Sequence, residues 1–330
     1  MQRFSEFFYR WLYGKDGYYA NFPQIGKEGD FFTAVSVTPL FGGAIAHYIY
    51  KKIEAGVLSS EATIFEVGAH RGYLLADIVQ FLYTFDPKLI KRLRFAIVEP
   101  FERLQAIQRD YFRQSFGDAI ELIHYKDFSE VKCIEGFVVA NEIFDAFPCE
   151  LLYNDQMGYV KDFTIHWGEL DSEIAALAKR YKRGKGEVAR GYESFAKRMG
   201  SAFEKCEFVT FDYGDLEARN DFSIRVYTKH KVFPLFDEAL DWRSAFGRSD
   251  ITYDVHFAHL IDAFVEAGWQ RGAYKTQMAA LVDFGIMELL EKILELKGFD
   301  LYKQELQKVK VLINPSMMGE RFKMVSFIKE

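Results

Sequence analysis

The sequence predicts an α/β protein with a doubly wound, Rossmann-like sheet, a helical N-terminal segment and an inserted lid subdomain. Three observations lead to this fold class. From residue 62 onward, short apolar runs alternate with amphipathic helices, which is typical of a parallel sheet covered on both faces. The first run ends in a glycine-rich turn at 68–72. The alternation stops after 150 and resumes after 205.

Residues 1–58 are predicted to form the helical N-terminal segment. Large apolar side chains recur there with helical spacing at Phe4, Phe7, Phe8, Trp11 and Leu12, which indicates a helix packed on the core. A second helix is expected over 39–53, because proline suits a first helical turn. The glycine-rich stretch 26–33 between them is predicted to be irregular.

The sheet itself is predicted from two parts of the chain, 59–150 and 206–330. In the first part, strands are expected at the apolar runs 63–67, 95–98, 120–123 and 137–140. In the second part, strands are expected at 208–211 and 224–227, followed by a closing antiparallel hairpin of 309–313 with 322–328.

Residues 151–205 are predicted to be the insertion that forms the lid subdomain. A hairpin is expected over 151–167, turning at Asn154 and Asp155, and a charged helical stretch over 172–203. The basic stretch 179–185 is interpreted as a solvated helix end. The alternative is a docking patch for an acidic partner.

Composition argues against several classes of protein. The 42 Lys and Arg residues against 48 Asp and Glu give a net charge of −6, which lacks the basic footprint of a nucleic-acid-binding protein. The three cysteines are scattered, the N-terminus has no apolar signal region, and no run of 18 apolar residues occurs. These features predict a cytoplasmic protein without a membrane span or a structural metal. The oligomeric state is not predicted.

The ends of the first two predicted strands carry candidate binding residues, because open α/β sheets bind ligands at the carboxyl ends of their strands. The first strand leads through Glu66 into Gly68 and Gly72, where small residues let the backbone and the next helix N-terminus approach a ligand. The second strand ends at Glu99, whose carboxylate can accept both hydroxyls of a ribose.

The loops after the third and fourth strands supply the remaining candidates. Asp127 and Phe128 are predicted to hydrogen-bond and stack on an adenine. The fourth strand is followed by Asn141, Glu142 and Asp145, and a carboxylate at this position suits a planar guanidinium. The alternative for these last three residues is a helix cap, with acids in the first helical turn.

A nicotinamide-dependent oxidoreductase is a weaker alternative. The dinucleotide fingerprint needs glycine where the chain has His70 and a small residue where it has Tyr73. Its ribose-binding acid is expected about 20 residues further on, whereas Glu99 lies 27 residues after Gly72. The neighbouring Asp254, His256 and His259 are interpreted as structural residues instead of metal ligands.

Taken in order, the motifs resemble those of the MidA family of class I S-adenosylmethionine-dependent methyltransferases. That family includes a mitochondrial protein that methylates an arginine of a complex I subunit during assembly. The similarity runs nearly end to end, through Gly29 to Ala34, Pro39 to Gly42, Glu66 to Gly72, Ile97 to Glu99, Asn141 with Glu142, Asp212 to Gly214 and Met318 to Lys323.

The resemblance implies S-adenosylmethionine as cofactor and a protein arginine side chain as substrate, such as one in a respiratory complex subunit. It implies that the cofactor is held by Asp30, Thr33, Glu66, Gly68, Gly72 and Glu99. It also implies that Asn141, Glu142 and Asp145 face the substrate.

The chain departs from the family pattern at three places. His70 replaces a usual glycine, Val35-Ser36-Val37 stands where the family has Pro-Glu-Ile before its serine, and Asp254 and His256 exchange the family's imidazole and acid. These departures leave an alternative function open, that of a non-catalytic assembly factor or binding module retaining the methyltransferase fold.

Overall fold

The computed structural model describes residues 1–21, 33–217, 219–228 and 231–330, and it confirms the predicted α/β class. The strands are β1 Gln2–Arg3, β2 Thr63–Val67, β3 Arg94–Val98, β4 Leu122–Tyr125, β5 Cys133–Asn141, β6 Cys149–Tyr153, β7 Gln156–Lys161, β8 Thr164–Gly168, β9 Lys185–Ala189, β10 Phe203–Asp215, β11 Arg225–Thr228, β12 Lys231–Pro234, β13 Asp250–Thr252, β14 Val255–His256, β15 Gln270–Thr276 and β16 Phe322–Lys329. The helices are α1 Phe4–Tyr13, α2 Tyr18–Asn21, α3 Ala34–Val37, α4 Leu40–Glu54, α5 Tyr73–Phe85, α6 Glu102–Phe116, α7 Ser172–Arg180, α8 Tyr192–Ala202, α9 Trp242–Ala245, α10 Phe257–Glu266, α11 Gln277–Asp283, α12 Ile286–Lys297 and α13 Phe299–Ile313.

The chain divides into two compact units, each assembled from three separated segments. Unit 1 comprises the described residues of Met1–Phe31, Ile143–Ala196 and Tyr213–Glu266. Unit 2 comprises those of Phe32–Glu142, Lys197–Asp212 and Ala267–Glu330. The four-part division expected from the sequence follows the chain linearly, and it stays a prediction.

Unit 2 contains the doubly wound sheet, with strand order β15-β16-β10-β5-β2-β3-β4. Strands β10, β5, β2, β3 and β4 are parallel, and β15 pairs antiparallel with β16. After β4 the chain returns to the other side of β2 to form β5, so the strand order reverses between β2 and β5. This reversal is the point at which open α/β sheets bind their ligands.

Helices α4 and α5 pack closely in unit 2 because two glycines on α4 remove the side chains that would separate them. A Cβ on Gly42 would lie 2.6 Å from Cβ of Asp77, and one on Gly43 would lie 2.9 Å from the ring of Phe81. Apart from Asp77, the face of α5 turned toward the core is apolar, with Leu75, Ile78 and Leu82 fully buried. This packing fixes the helix that follows the glycine-rich turn.

Unit 1 contains two antiparallel sheets. In the larger sheet, β7 pairs with β1 and β6 and also with β8, and β9 pairs with β6. The smaller sheet has the order β12-β11-β13. Helix α1 belongs to this unit, and the five apolar side chains that predicted it are all buried. Trp11 Nε1 donates a hydrogen bond of 2.7 Å to the carbonyl of Ser249.

Local predictions in the insertion were partly right. The hairpin that turns at Asn154 and Asp155 is confirmed, since β6 and β7 pair antiparallel around these residues. It ends with β7, and the rest of the predicted range forms a third strand, β8, which pairs with β7. Both turn residues have positive φ, 49° and 57°, as a two-residue hairpin of this kind requires. The helical prediction over 172–203 was wrong at β9, whose sequence Lys-Gly-Glu-Val-Ala becomes a strand only by pairing with β6.

The predicted closing hairpin of 309–313 with 322–328 was wrong. The first segment is the last turn of α13, where Val309 and Leu312 are buried three residues apart, so its apolar residues continue a helical stripe. The strand at 322–328 exists as β16 and pairs with β15, which the sequence prediction missed. The strand expected at 224–227 exists as β11, in the small sheet of unit 1.

Candidate active site

The turn after β2 depends on left-handed backbone conformations. Gly68, His70 and Gly72 have φ of 68°, 48° and 80°, a region that glycine adopts without cost and that histidine tolerates better than most residues. This geometry suits the glycine that the family resemblance leads us to expect at position 70. The turn keeps its shape with histidine there, at a backbone cost of about 1–2 kcal/mol.

Glu66 accepts a hydrogen bond from the first turn of α5, the helix that follows the glycine turn. Its Oε2 accepts a 2.9 Å hydrogen bond from the backbone N–H of Leu75, in the first turn of α5. The residue is buried, and this burial raises the pKa of its carboxyl to about 8, with the nearby Asp77 carboxylate also raising it and the Leu75 N–H opposing the shift. Glu66 therefore connects the end of β2 to the helix N-terminus.

Gln108 on α6 links the glycine turn to the end of β3. Its Nε2 donates to the carbonyl of His70 at 2.9 Å and lies 3.5 Å from Glu99 Oε2. Its Oε1 faces Nε2 of His124 at 2.9 Å. Because the His70 carbonyl can only accept, the amide orientation is fixed and His124 donates from Nε2. Burial, with a smaller effect from Arg109, lowers the pKa of His124 to about 4.

The sequence prediction assigned Gln108 no role. The residue is completely buried on the face of α6 that also carries Leu104, Gln105 and Phe112. A glutamine on a helix face that also carries buried apolar residues is the signal that identifies such a residue, since buried amides need partners.

Glu99 lies at the end of β3 with its carboxylate only partly satisfied. The residue is 3% exposed; Oε1 accepts from the backbone N–H of Phe101 at 3.0 Å, and among the described residues Oε2 has only the long contact to Gln108. Burial raises the pKa of this carboxyl to about 7, against the lowering effect of the two donors. Its remaining lone pairs suit additional hydroxyl donors.

Three acids in unit 2, the buried Glu66 and Glu99 and the half-buried Asp77, have no basic ion-pair partner among the described residues. Burial also raises the pKa of Asp77, to about 7. None of the described basic side chains forms an ion pair with Glu66, Asp77 or Glu99. Uncompensated buried carboxyl groups are costly, so this region favours a ligand that brings positive charge and hydroxyl groups.

Asn141 is the last residue of β5 and Glu142 follows it, on the other side of the strand-order reversal from the glycine turn. The Glu142 N–H donates to the carbonyl of Phe211 at 2.8 Å, and Asn141 Nδ2 donates to Glu142 Oε1 at 2.8 Å. Glu142 has a φ of 54°, which costs about 1–3 kcal/mol for a glutamate and is typical of functional sites. Asn141 Oδ1 is buried and has no hydrogen-bond partner among the described residues.

Two further predicted cofactor residues lie at the end of β4. Asp127 accepts from the N–H of Ser129 at 2.9 Å and lies 3.4 Å from Arg198. Phe128 is buried and packs edge-on against Phe203, with ring centroids 6.0 Å apart. Because it packs on Phe203, the Phe128 ring is part of the buried core. Adenine binding by this pair stays a prediction.

Of the two cofactor candidates near the N-terminus, Thr33 is among the described residues and the other is not. Asp30 lies outside the described residues. Thr33 precedes α3 and is partly exposed, and its carbonyl accepts hydrogen bonds from the N–H and the hydroxyl of Ser36. Its predicted cofactor role likewise stays a prediction.

Asp145, the third predicted substrate residue, belongs to unit 1, whereas Asn141 and Glu142 belong to unit 2. Tyr213 Oη donates to Asp145 Oδ2 at 2.6 Å and lies 2.5 Å from Thr252 Oγ1. The Arg225 guanidinium lies over the Tyr213 ring, 5.2 Å from its centroid, and pairs with Asp254. Burial raises the pKa of Asp145 to about 6, while Tyr213 and Arg225 lower it. Asp145 is thus committed to a polar network within unit 1.

Comparison with known proteins identifies the family. The sequence model of a family described as putative S-adenosyl-L-methionine-dependent methyltransferases matches residues 44–274. The chain belongs to this family. It is an S-adenosylmethionine-dependent methyltransferase, and the MidA-type resemblance in the sequence is confirmed.

Relatives and solved structures agree with this assignment. The mitochondrial protein arginine methyltransferase NDUFAF7 of Rattus norvegicus is 24% identical, over 93% of this chain and 76% of that protein. The protein of the same name from Homo sapiens is 23% identical, over 93% and 75%. A likely methyl transferase from Burkholderia thailandensis, crystallised with S-adenosyl-homocysteine, has the same fold, with a TM-score of 0.84 at 24% identity, covering 98% of this chain and 87% of that one.

The names of these relatives give information about their cellular location. No helix among the described residues is long and apolar enough to cross a membrane. The curated relatives are named as mitochondrial, so the cytoplasmic location expected from composition receives no support from them and stays a prediction.

The residues of unit 2 fit S-adenosylmethionine. This cofactor carries a sulfonium, an ammonium group and two ribose hydroxyls, which match the unpaired acids and the free lone pairs of Glu99. Asn141 Oδ1 supplies a buried acceptor that no described residue satisfies. The left-handed turn at Gly68 and Gly72 brings backbone, without side chains, to the same end of the sheet.

Proposed function

We propose that the chain methylates an arginine side chain of a protein, with the cofactor held by unit 2 and the guanidinium oriented by Glu142. The observation that carries the proposal is the left-handed backbone of Glu142 at the end of β5. A strained glutamate beside the strand-order reversal, oriented by the Asn141 amide, is a carboxylate placed for a ligand. The relatives named as protein arginine methyltransferases support the substrate class.

The roles of the residues follow from the chemistry of methyl transfer. When bound, S-adenosylmethionine supplies an electrophilic methyl group. Glu99 binds the ribose hydroxyls. The carboxyl groups of Asp77 and Glu99, with pKa values of about 7, ionise to offset the positive charge of the cofactor. The Glu142 carboxylate accepts guanidinium N–H groups and aligns the attacking nitrogen, and such alignment contributes much of the rate of an in-line displacement. Asn141 holds the Glu142 carboxylate in place through its amide hydrogen bond.

The substrate class is tested with labelled S-adenosylmethionine and two matched peptide libraries, one containing arginine and one with lysine at the same positions. Peptides and native protein extracts are hydrolysed after the reaction, and the methylated amino acids are separated. Label in methylarginine is expected. Label in methyllysine instead, or in small molecules alone, contradicts the proposed substrate.

The role of Glu142 is tested by two substitutions. Glu142→Gln should slow transfer about 10- to 100-fold, the equivalent of losing one charged hydrogen bond, while the cofactor Kd changes less than twofold. Glu142→Gly should also lose transfer but raise the free energy of unfolding by about 1 kcal/mol, because it relieves the left-handed backbone. Parental transfer rates in Glu142→Gln show that Glu142 does not orient the substrate.

A further inference from the structure

Four aromatic side chains form a partly exposed cluster on unit 1, called here the aromatic patch: Tyr153, Trp167, Phe222 and Phe236. The rings of Trp167 and Phe222 are nearly parallel at 29°, with centroids 6.1 Å apart, and Phe222 lies 4.7 Å from Phe236. Phe236 and Tyr153 are 45% and 38% exposed. Clustered aromatic surface of this kind is typical of recognition sites.

The aromatic patch lies on the face of the larger unit 1 sheet that α7 leaves uncovered. Leu152, Met157 and Val188 point to the opposite face, where they form a buried cluster with residues of α7. Tyr153 follows Leu152 on β6, and Trp167 pairs with Gly158 of β7. Because successive side chains of a strand alternate between faces, both rings point away from the α7 core.

A cation already lies on the aromatic patch. Lys185 Nζ is 5.7 Å from the centroid of the Tyr153 ring and 5.3 Å from that of Phe222. It also pairs with Asp221 at 2.7 Å. The Asp221 side chain is 60% exposed and that of Lys185 36% exposed. Aromatic faces next to an exposed carboxylate make a surface that selects positive charge.

The two arginines of the basic stretch 179–185 are engaged elsewhere. Arg180 pairs with Asp262 at 2.7 Å and with Glu266 at 2.6 Å. The Arg183 side chain is 6% exposed and lies beside the buried Glu187, so the interpretation of this stretch as a solvated helix end was wrong at Arg183. Arg180, Arg183 and Lys185 are thus compensated by neighbouring acids, which leaves Lys179 and Lys182 as the exposed cations of the stretch. The exposed groups beside Lys185 favour a basic partner.

We propose that the aromatic patch and Asp221 form a docking site for an arginine side chain of a protein partner, which displaces Lys185. A guanidinium stacks flat on aromatic rings, is weakly hydrated and can bind a carboxylate through two parallel hydrogen bonds. Lys185 is held by a partly exposed ion pair and ring contacts, which are individually weak, so its side chain can return to water at little cost. This docking requires no methyl transfer and can be measured without the cofactor.

The test uses the full chain labelled with 5-fluorotryptophan, whose Trp167 fluorine resonance is assigned with Trp167→Phe. The probe is N-acetyl-arginine methylamide, and its neutral counterpart is N-acetyl-citrulline methylamide. The arginine probe should shift the Trp167 resonance in a saturable way, and the citrulline probe should not. Lys185→Ala should lower the Kd of the arginine probe about two- to fivefold by opening the rings.

Two variants of Lys185 distinguish the effect on the Kd of exposing the rings from the effect of removing the lysine charge. Lys185→Met keeps an apolar stem over the rings, so its Kd should stay nearer to the parental value than that of Lys185→Ala. Asp221→Asn should weaken binding. The proposal is overturned if the Trp167 resonance does not move in either the parent or Lys185→Ala, or if citrulline shifts it equally. Tighter binding of the corresponding lysine probe overturns the choice of arginine.

Discussion

Replacing Glu99 with glutamine should weaken cofactor binding and reduce its pH dependence. The carboxylate is buried, has a pKa of about 7 and keeps lone pairs that neither Phe101 nor Gln108 fully occupies. Hydrogen bonds from ribose hydroxyls to a charged carboxylate contribute about 2 kcal/mol that an amide cannot fully replace. We therefore expect the Kd of Glu99→Gln at pH 8 to be about 30-fold higher than that of the parent.

The pH dependence follows from the same pKa. Cofactor hydroxyl groups stabilise the ionised form, so the parent must lose the Glu99 proton on binding. With a pKa of about 7, about one carboxyl in eleven is ionised at pH 6 and about ten in eleven at pH 8, which predicts about tenfold tighter binding at pH 8. His70 and His124, each with a pKa lowered to about 4, stay neutral over this range.

The assay is calorimetric titration with S-adenosylmethionine at several pH values between 6 and 8. Glu66 and Asp77 also titrate near this range, so the informative quantity is the difference in slope between the parent and Glu99→Gln. Glu102→Gln is the matched control, because Glu102 is an exposed acid at the start of α6 that pairs with Lys126. If Glu99→Gln binds as tightly as the parent and keeps its pH slope, Glu99 is not the ribose acceptor.

Two further predictions concern stability without cofactor. His70→Gly should raise the free energy of unfolding by about 1 kcal/mol in urea denaturation, because glycine adopts the φ of 48° without cost, whereas His70→Ala should give no such gain. Glu66 keeps its proton in the folded state up to about pH 8 but loses it near pH 4.5 when unfolded. Stability should therefore fall as pH rises through this window, and Glu66→Gln should reduce the fall in melting temperature between pH 6 and 9.

A specific outcome would contradict each of these stability predictions. If glycine and alanine at position 70 change the free energy of unfolding equally, the left-handed backbone is not the source of the cost. If Glu66→Gln loses as much stability between pH 6 and 9 as the parent, the buried carboxyl of Glu66 does not govern the pH dependence.

Local sequence patterns predicted the parallel core well. Strands β2 and β3 coincide closely with apolar runs, and the run at 137–140 forms the buried part of the longer β5, because strand segments buried on both faces must be apolar. The same patterns located Glu66, Glu99, Asn141 and Glu142 at strand ends, since the position after a buried run is set by the chain itself.

The sequence by itself determined the fold class, the glycine turn and the order of the strand-end residues, because these depend on residues close together in the chain. Tertiary structure decided what depends on distant partners: β9 forms against β6, and β16 pairs with β15. It also decided that Gln108 bridges His70 and Glu99, and that Asp145 joins Tyr213 in unit 1. Such contacts arise from packing and buried hydrogen-bond satisfaction between separated segments, for which short-range periodicity carries no signal.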